Sequence, residues 1–250
     1  MFSYFIFLLV FSLFFIGVFT AIIIIMTEHK NQSDIISKSS SSSKSTSCNK
    51  EVELKFRMPS SLSVFEYPKN WDISFEINQY YLNVSSPSSK KTIEELVPCF
   101  DSNNWNNIKE VRIRSKSLII NKETTYTLTL KSSGGLSRDE YENQITKQEF
   151  DSLLRGYAVS HIHKIRSVLN CSTISPLKEV KDPIVYKELN FEFDVFVVPP
   201  SCPDLIEIEF NPEKFSVPEL TALAKAHFGS DIVNVTENKF YKNVNLAMVL

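Results

Sequence analysis

The residues of this 250-residue chain that could do chemistry are charged and occupy alternate positions inside short apolar segments. EVELK sets Glu51, Glu53 and Lys55 on one side of an extended chain and Val52 and Leu54 on the other. EVRIR repeats this with Arg112 and Arg114, HKIR with Lys164 and Arg166, FEFD with Glu192 and Asp194, and EIEF with Glu207 and Glu209. TLTLK adds Lys131 to a face shared with Thr127 and Thr129, and SRDEYE adds Arg138, Glu140 and Glu142 with Tyr141 turned away. Strand side chains alternate with period 2, so every segment carries one charged and one apolar face. Paired carboxylates hold hard divalent cations, and clusters of Lys and Arg hold phosphate oxygens.

One such strand would be ordinary surface. Several, mixing acids and bases on the same faces, predict a closed barrel whose interior is charged and whose exterior is buried under helices. A charge removed from bulk water needs a partner, a metal or a bound ion. Candidate strands run over 50–57, 72–83, 108–115, 124–132, 138–145, 161–168, 187–198 and 204–211. Thr146 with Glu149, and Ser216 with Glu219, are capping-box pairs that start two helices, one stopping near Gly156 and the other near Gly229. Residues 84–107 and 171–186 read as polar surface connections. His161 and His163 resemble a metal pair, but their parity is opposite to that of Lys164 and Arg166, which turns them outward.

EVELK resembles the ExExK signature that opens CYTH domains, the triphosphate tunnel metalloenzymes. EVRIR, YTLTLKSSGGLSRDEYENQI, HKIR, FEFDVF, LIEIEF and VTENKFYKN are similar to later segments of that superfamily in the same order, over residues 50–248. The stretch Tyr126–Ile145 resembles bacterial-type members that hydrolyse inorganic tripolyphosphate. The resemblance implies a mainly β (α+β) fold: a closed antiparallel eight-stranded β-barrel tunnel with covering helices. It also implies Mg²⁺ or Mn²⁺ held by Glu207 and Glu209 with help from Glu51 and Glu53.

Lys55, Arg112, Arg114, Lys131, Arg138, Lys164 and Arg166 would then surround a triphosphate. Glu53, or failing it Glu51, would activate the attacking water, while Glu140, Glu142, Glu192 and Asp194 orient the bases. The pattern departs from the family at Asn234, Ser167 and Phe240. Alternative outcomes on such a scaffold are thiamine, nucleoside or RNA triphosphate hydrolysis, adenylate cyclisation, or a polyphosphate-binding module without turnover.

Other features bound the reading. A net charge of −2 leaves no basic excess for extended nucleic-acid binding, and no protein partner is evident. Cys48, Cys99, Cys171 and Cys202 form no CxxC and read as reduced structural thiols. Tyr4–Met26 is almost wholly apolar, long enough as a helix to cross a hydrocarbon core of about 30 Å. Residues 1–27 are therefore expected to be a retained transmembrane anchor and 28–49 a Ser-rich tether ahead of the 50–248 domain. With Lys residues only after the span, the expected location is a single-pass membrane protein with its domain in the cytosol.

Overall fold

The computed structural model describes residues 47–59, 73–134, 136–171 and 188–250. Eight strands carry the architecture: β1 (Ser47–Arg57), β2 (Ile73–Leu82), β3 (Ile108–Leu118), β4 (Thr124–Ser132), β5 (Ser137–Gln144), β6 (Ala158–Asn170), β7 (Asn190–Val198) and β8 (Leu205–Glu209). They pair in the order β6-β2-β3-β4-β5-β1-β8-β7, and β7 returns to β6, which closes the barrel. Every pairing is antiparallel. Closure is what the mixed charges require, because it leaves no open edge and encloses one face of every strand. Two short strands, β9 (Val233–Asn234) and β10 (Met248–Val249), pair with β1 and β6.

The apolar faces point outward and are covered by helices. Val52, Leu54 and Phe56 of β1, Phe191 and Phe193 of β7, and Ile206 and Ile208 of β8 form one core with Leu220, Leu223, Ala224 and Phe228. Those last four lie on α3 (Val217–Phe228), counted after α1 (Pro87–Leu96) and α2 (Lys147–Tyr157). A second core joins Val111, Ile113, Leu128 and Leu130 to Ile93 of α1 and to Phe150 and Leu153 of α2. Each such side chain, fully buried, contributes roughly 1.5–3 kcal/mol, so the cores outside the barrel hold the charged wall in place.

Both expected capping boxes form, Thr146 with Glu149 and Ser216 with Glu219. Gly229 ends α3 at φ +99°, backbone that favours glycine. The sequence reading missed α1, which lies in the supposed polar connection. Ser86 caps it by accepting from Ser89 N, Pro87 opens it, and Ile93 is fully buried. Its few apolar residues contact the barrel on a single stripe, too sparse to show in composition.

β1 starts at Ser47, so the last three residues of the expected tether already pair with β5. The membrane location is corrected here. No helix among the described residues is long and apolar enough to cross a membrane. The 12 residues of α3 span about 18 Å against a hydrocarbon core of about 30 Å. The Tyr4–Met26 segment expected to be a transmembrane helix lies outside the described residues.

The interior is not uniformly charged. Tyr81, Ile162, Phe196 and Leu205 sit at inward positions and pack with Val235 and Leu246, the latter on the short helix α4 (Asn243–Leu246), filling part of the barrel. Period 2 says which face a residue is on. It does not say how far along the barrel axis that residue lies.

Candidate functional site

The inward faces enclose a cavity of about 890 Å³ bordered by Glu51, Glu53, Arg112, Arg114, Lys116, Lys131, Arg138, Arg166, Glu192, Glu207 and Glu209. Its outer rim carries the exposed residues Lys50, Glu188, Asn211 and Glu213. Phe210 and Phe215 also border it but are buried in the α3 core, so their rings are not free to stack on a ligand.

Along β6, β7 and β8 the charges are matched. Asp194, fully buried, accepts from Lys164 and from Arg166 through Nε at 2.7 Å and one terminal nitrogen at 2.7 Å. Arg166 also contacts Glu192 and Glu207, and Glu207 lies 2.7 Å from Lys55 Nζ. Against the upward push of burial, Lys55, Lys164 and Arg166 hold the Glu207 carboxyl well below its usual range. Burial, with Arg166 beside it, pushes the Lys164 amine down to about 8 although Asp194 opposes the shift.

Where β1 meets β8 acids crowd together: Glu53 has Lys55 at 3.2 Å and Glu51 has its own bases, but Glu209 has no base within ion-pair distance among the described residues. Glu53 stands directly opposite Glu209 in the ladder. Oxygens of Glu51, Glu53 and Glu209 all lie within 4.8 Å of one another. Like charges facing each other across strands are destabilising. Burial, followed by the charges of Glu192, Glu53 and Glu51, pushes the Glu209 carboxyl up to about 8. That side chain stays open to cavity water, which screens part of the repulsion. Burial and then Glu207 raise Glu53 as well. Glu51 differs, because Lys131, Arg138 and Arg112 outweigh its burial and hold it well below the usual carboxylate range. Lys131 donates to both Glu51 oxygens at 2.7 and 2.8 Å, and Arg138 Nε donates at 2.7 Å.

The remaining expected residues line the same interior. Arg112 reaches Glu110 at 3.4 Å and Glu140 at 3.5 Å, while its buried Nε has no hydrogen-bond partner among the described residues. Arg114 donates to Gln79 at 3.1 Å, and Thr129 donates to Glu142 at 3.0 Å. Glu207, expected among the cation-holding acids, lies with Lys55 and Arg166 instead of in the group of three. Parity alone could not separate it from Glu209, two residues along the same face.

Three residues escaped the sequence reading. Glu110, which opens EVRIR itself, and Lys116, two residues past its end, share the parity of Arg112 and Arg114, a signal that following that register through and beyond the motif would have caught. Gln79 carries no charge and left no signal. His161 and His163 face outward as parity required, meeting Asn78 and Glu76 at 3.1 Å each, and His161 stacks on Tyr80. A register shift between His163 and Lys164 affects only the β7 side, and pairing with β2 stays continuous through both.

Three convergent carboxylates form a hard-oxygen donor set that suits Mg²⁺ or Mn²⁺. Their crowding is what a divalent cation would relieve.

No protein-family profile matches the chain. A curated inorganic triphosphatase of Nitrosomonas europaea is 34% identical over 139 residues, covering 56% of this chain and 75% of that protein. A hypothetical protein of known crystal structure is 27% identical, covering 80% of this chain and 99% of its own, with a TM-score of 0.41. A Pyrococcus horikoshii protein is 20% identical over 73% and 93%, with a TM-score of 0.46. At those scores the two structures add nothing to the assignment, which rests on the triphosphatase match together with a closed, charge-lined antiparallel barrel. This chain belongs to the CYTH superfamily of triphosphate tunnel metalloenzymes, within its inorganic triphosphatase family of phosphoanhydride hydrolases.

Proposed function

We propose that this chain hydrolyses inorganic tripolyphosphate to orthophosphate and pyrophosphate with a divalent cation, Mg²⁺ or Mn²⁺. The observation that carries the reading is the convergence of Glu51, Glu53 and Glu209 beside a base-lined cavity. The Nitrosomonas europaea relative, an inorganic triphosphatase, supports the substrate.

In this reading Glu51, Glu53 and Glu209 hold the cation. When bound, it would offset charge on the phosphate oxygens and lower the pKa of water. Arg112, whose Nε is unsatisfied although its terminal nitrogens reach Glu110 and Glu140, and Arg114, bound only to a neutral amide, receive phosphate oxygens. Lys131 and Arg138 fix Glu51, while Asp194, Glu192 and Glu207 fix Lys164, Arg166 and Lys55. Water attacks the terminal phosphorus, the anhydride bond to the next phosphate breaks, and pyrophosphate leaves with the bond's electron pair.

Glu53 takes up the water's proton. In the metal-free site burial and Glu207 raise its proton affinity, whereas the three bases around Glu51 hold that carboxylate well below its usual range, which favours Glu53 over Glu51 for this role. Among the described residues the two rings that border the cavity, Phe210 and Phe215, are buried in the α3 core and not presented to a thiamine or a nucleobase, which favours an inorganic substrate over an organic triphosphate.

Phosphate release from tripolyphosphate, thiamine triphosphate and ATP, with and without Mg²⁺ or Mn²⁺, tests the reading. Tripolyphosphate should be turned over fastest and only with metal. Glu53→Gln should lower kcat by about 100-fold or more, and His163→Ala, on the outer face, should leave it unchanged. Tight tripolyphosphate binding with no metal-dependent release would instead make the chain a binding module.

A further inference from the structure

We infer that Lys116 extends the phosphate-binding track along β3 away from the three acids, so that the site accepts linear polyphosphate one phosphate longer than tripolyphosphate and uses Lys116 to hold the added phosphate. The inference rests on the hydrolytic reading above for the position of the first three phosphates.

Arg112, Arg114 and Lys116 occupy successive inward positions of β3 and border one cavity. At 3.2–3.4 Å of rise per residue, the three span roughly 13 Å along the strand. Arg112 lies at the end nearer the acidic corner, since it reaches Glu140 and helps to hold Glu51. Lys116 lies at the other end, opposite Ile77 of β2 and Thr125 of β4. In a linear anion laid along the track from the acids, the phosphate farthest from them is therefore the one beside Lys116.

Lys116 differs from most of its neighbours in having no carboxylate within ion-pair distance, Glu192 and Glu142 acting on it only from farther off. Lys55, Arg112, Lys131, Arg138, Lys164 and Arg166 each have a carboxylate within ion-pair distance. Among the described residues Lys116 has none. Its ammonium rests 3.8 Å from the centre of the Phe75 ring, which aims the charge without consuming it. An enclosed ammonium without an acid partner is stabilised when an anion arrives. Burial, together with Arg166 and Arg114, already pushes this amine down to about 8 although Glu192 opposes the shift. The ligand group that fits is a further phosphate, because the group presented there is a compact ammonium and the Phe75 ring beside it is already covered by that ammonium.

The test is steady-state kinetics of the full chain and of Lys116→Met and Lys116→Arg on linear tripolyphosphate and tetrapolyphosphate. Lys116→Met should raise KM for tetrapolyphosphate about tenfold while moving KM for tripolyphosphate far less and leaving both kcat values within about twofold. Lys116→Arg should restore most of the difference. Equal rises for the two substrates would overturn the inference by placing Lys116 within the triphosphate site, and no rise for either would reduce the residue to packing on Phe75. Calorimetric binding of the same two polyphosphates to Glu53→Gln, with and without Lys116→Met, reads the same ratio without turnover. If Lys116→Met weakens binding of the two polyphosphates equally or not at all, the inference is overturned even where hydrolysis is found, and a selective loss of tetrapolyphosphate binding supports it even where the hydrolytic reading fails.

Discussion

Two parts of the barrel interior are built from the same residue types and behave oppositely. On the β6–β7–β8 wall, Lys164, Arg166, Glu192, Asp194 and Glu207 satisfy one another. Where β1 meets β8, Glu209 meets Glu51 and Glu53 with no base of its own within ion-pair distance, and along β3 Arg114 and Lys116 have no acid within that distance among the described residues. A satisfied buried network is scaffolding, because it is already at its electrostatic minimum. An unmatched set is held in place by the surrounding fold and gains free energy when a ligand of opposite charge arrives. Changes on the matched wall should therefore appear in stability, and changes in the unmatched set should appear in binding and turnover.

The sharpest way to break this contrast is Asp194→Ala. It leaves Lys164 and Arg166 buried without their shared acid and should destabilise the fold by about 3–5 kcal/mol, read from denaturant midpoints. A loss below about 1 kcal/mol would mean that cavity water solvates those bases and that the wall is not scaffolding.

A smaller effect should follow pH. Lys116 is faced by Arg114 on its own strand, Arg166 on β6, Glu192 on β7 and Glu142 on β5. With its amine pushed down to about 8, the free protein carries that charge below pH 8 and loses it above, while a bound phosphate holds the proton to higher pH. Preference for tetrapolyphosphate over tripolyphosphate should hence be flat below about pH 8 and decline above it by up to about tenfold per pH unit. Calorimetric binding ratios measured without metal on Glu53→Gln, with and without Lys116→Arg, check this. The arginine variant should stay flat.

The smallest change sharpens the other side. Glu209→Gln removes one of two carboxyls that face each other across β1 and β8. At pH 9, where Glu209 is ionised, the metal-free protein should become more stable by about 0.2–1 kcal/mol, with cavity water keeping the gain modest. At the same time Mn²⁺ should lose most of its ability to raise Tm. The sign agrees with the carboxyl's raised pKa: stability that is present while Glu209 is protonated is lost as pH rises through about 8. A variant that is less stable at pH 9 and still gains fully from Mn²⁺ would remove Glu209 from the cation-holding set.

By itself, the sequence determined the strands, both capping boxes and which face of each strand is charged, because these depend on neighbours two to four residues away. It also placed His161 and His163 on the outside by parity alone. Only the tertiary structure decided which charges meet. Glu207 and Glu209 share a face and a chemistry, yet one lies between Lys55 and Arg166 while the other joins Glu51 and Glu53. The same holds for α1, whose Ile93 matters only against the β3–β4 surface, and for the inward apolar cluster around Tyr81, Phe196 and Leu246. Their partners are distant in sequence, and the stagger of a closing barrel sets how far along the axis each residue lies, a quantity that a period-2 pattern does not contain.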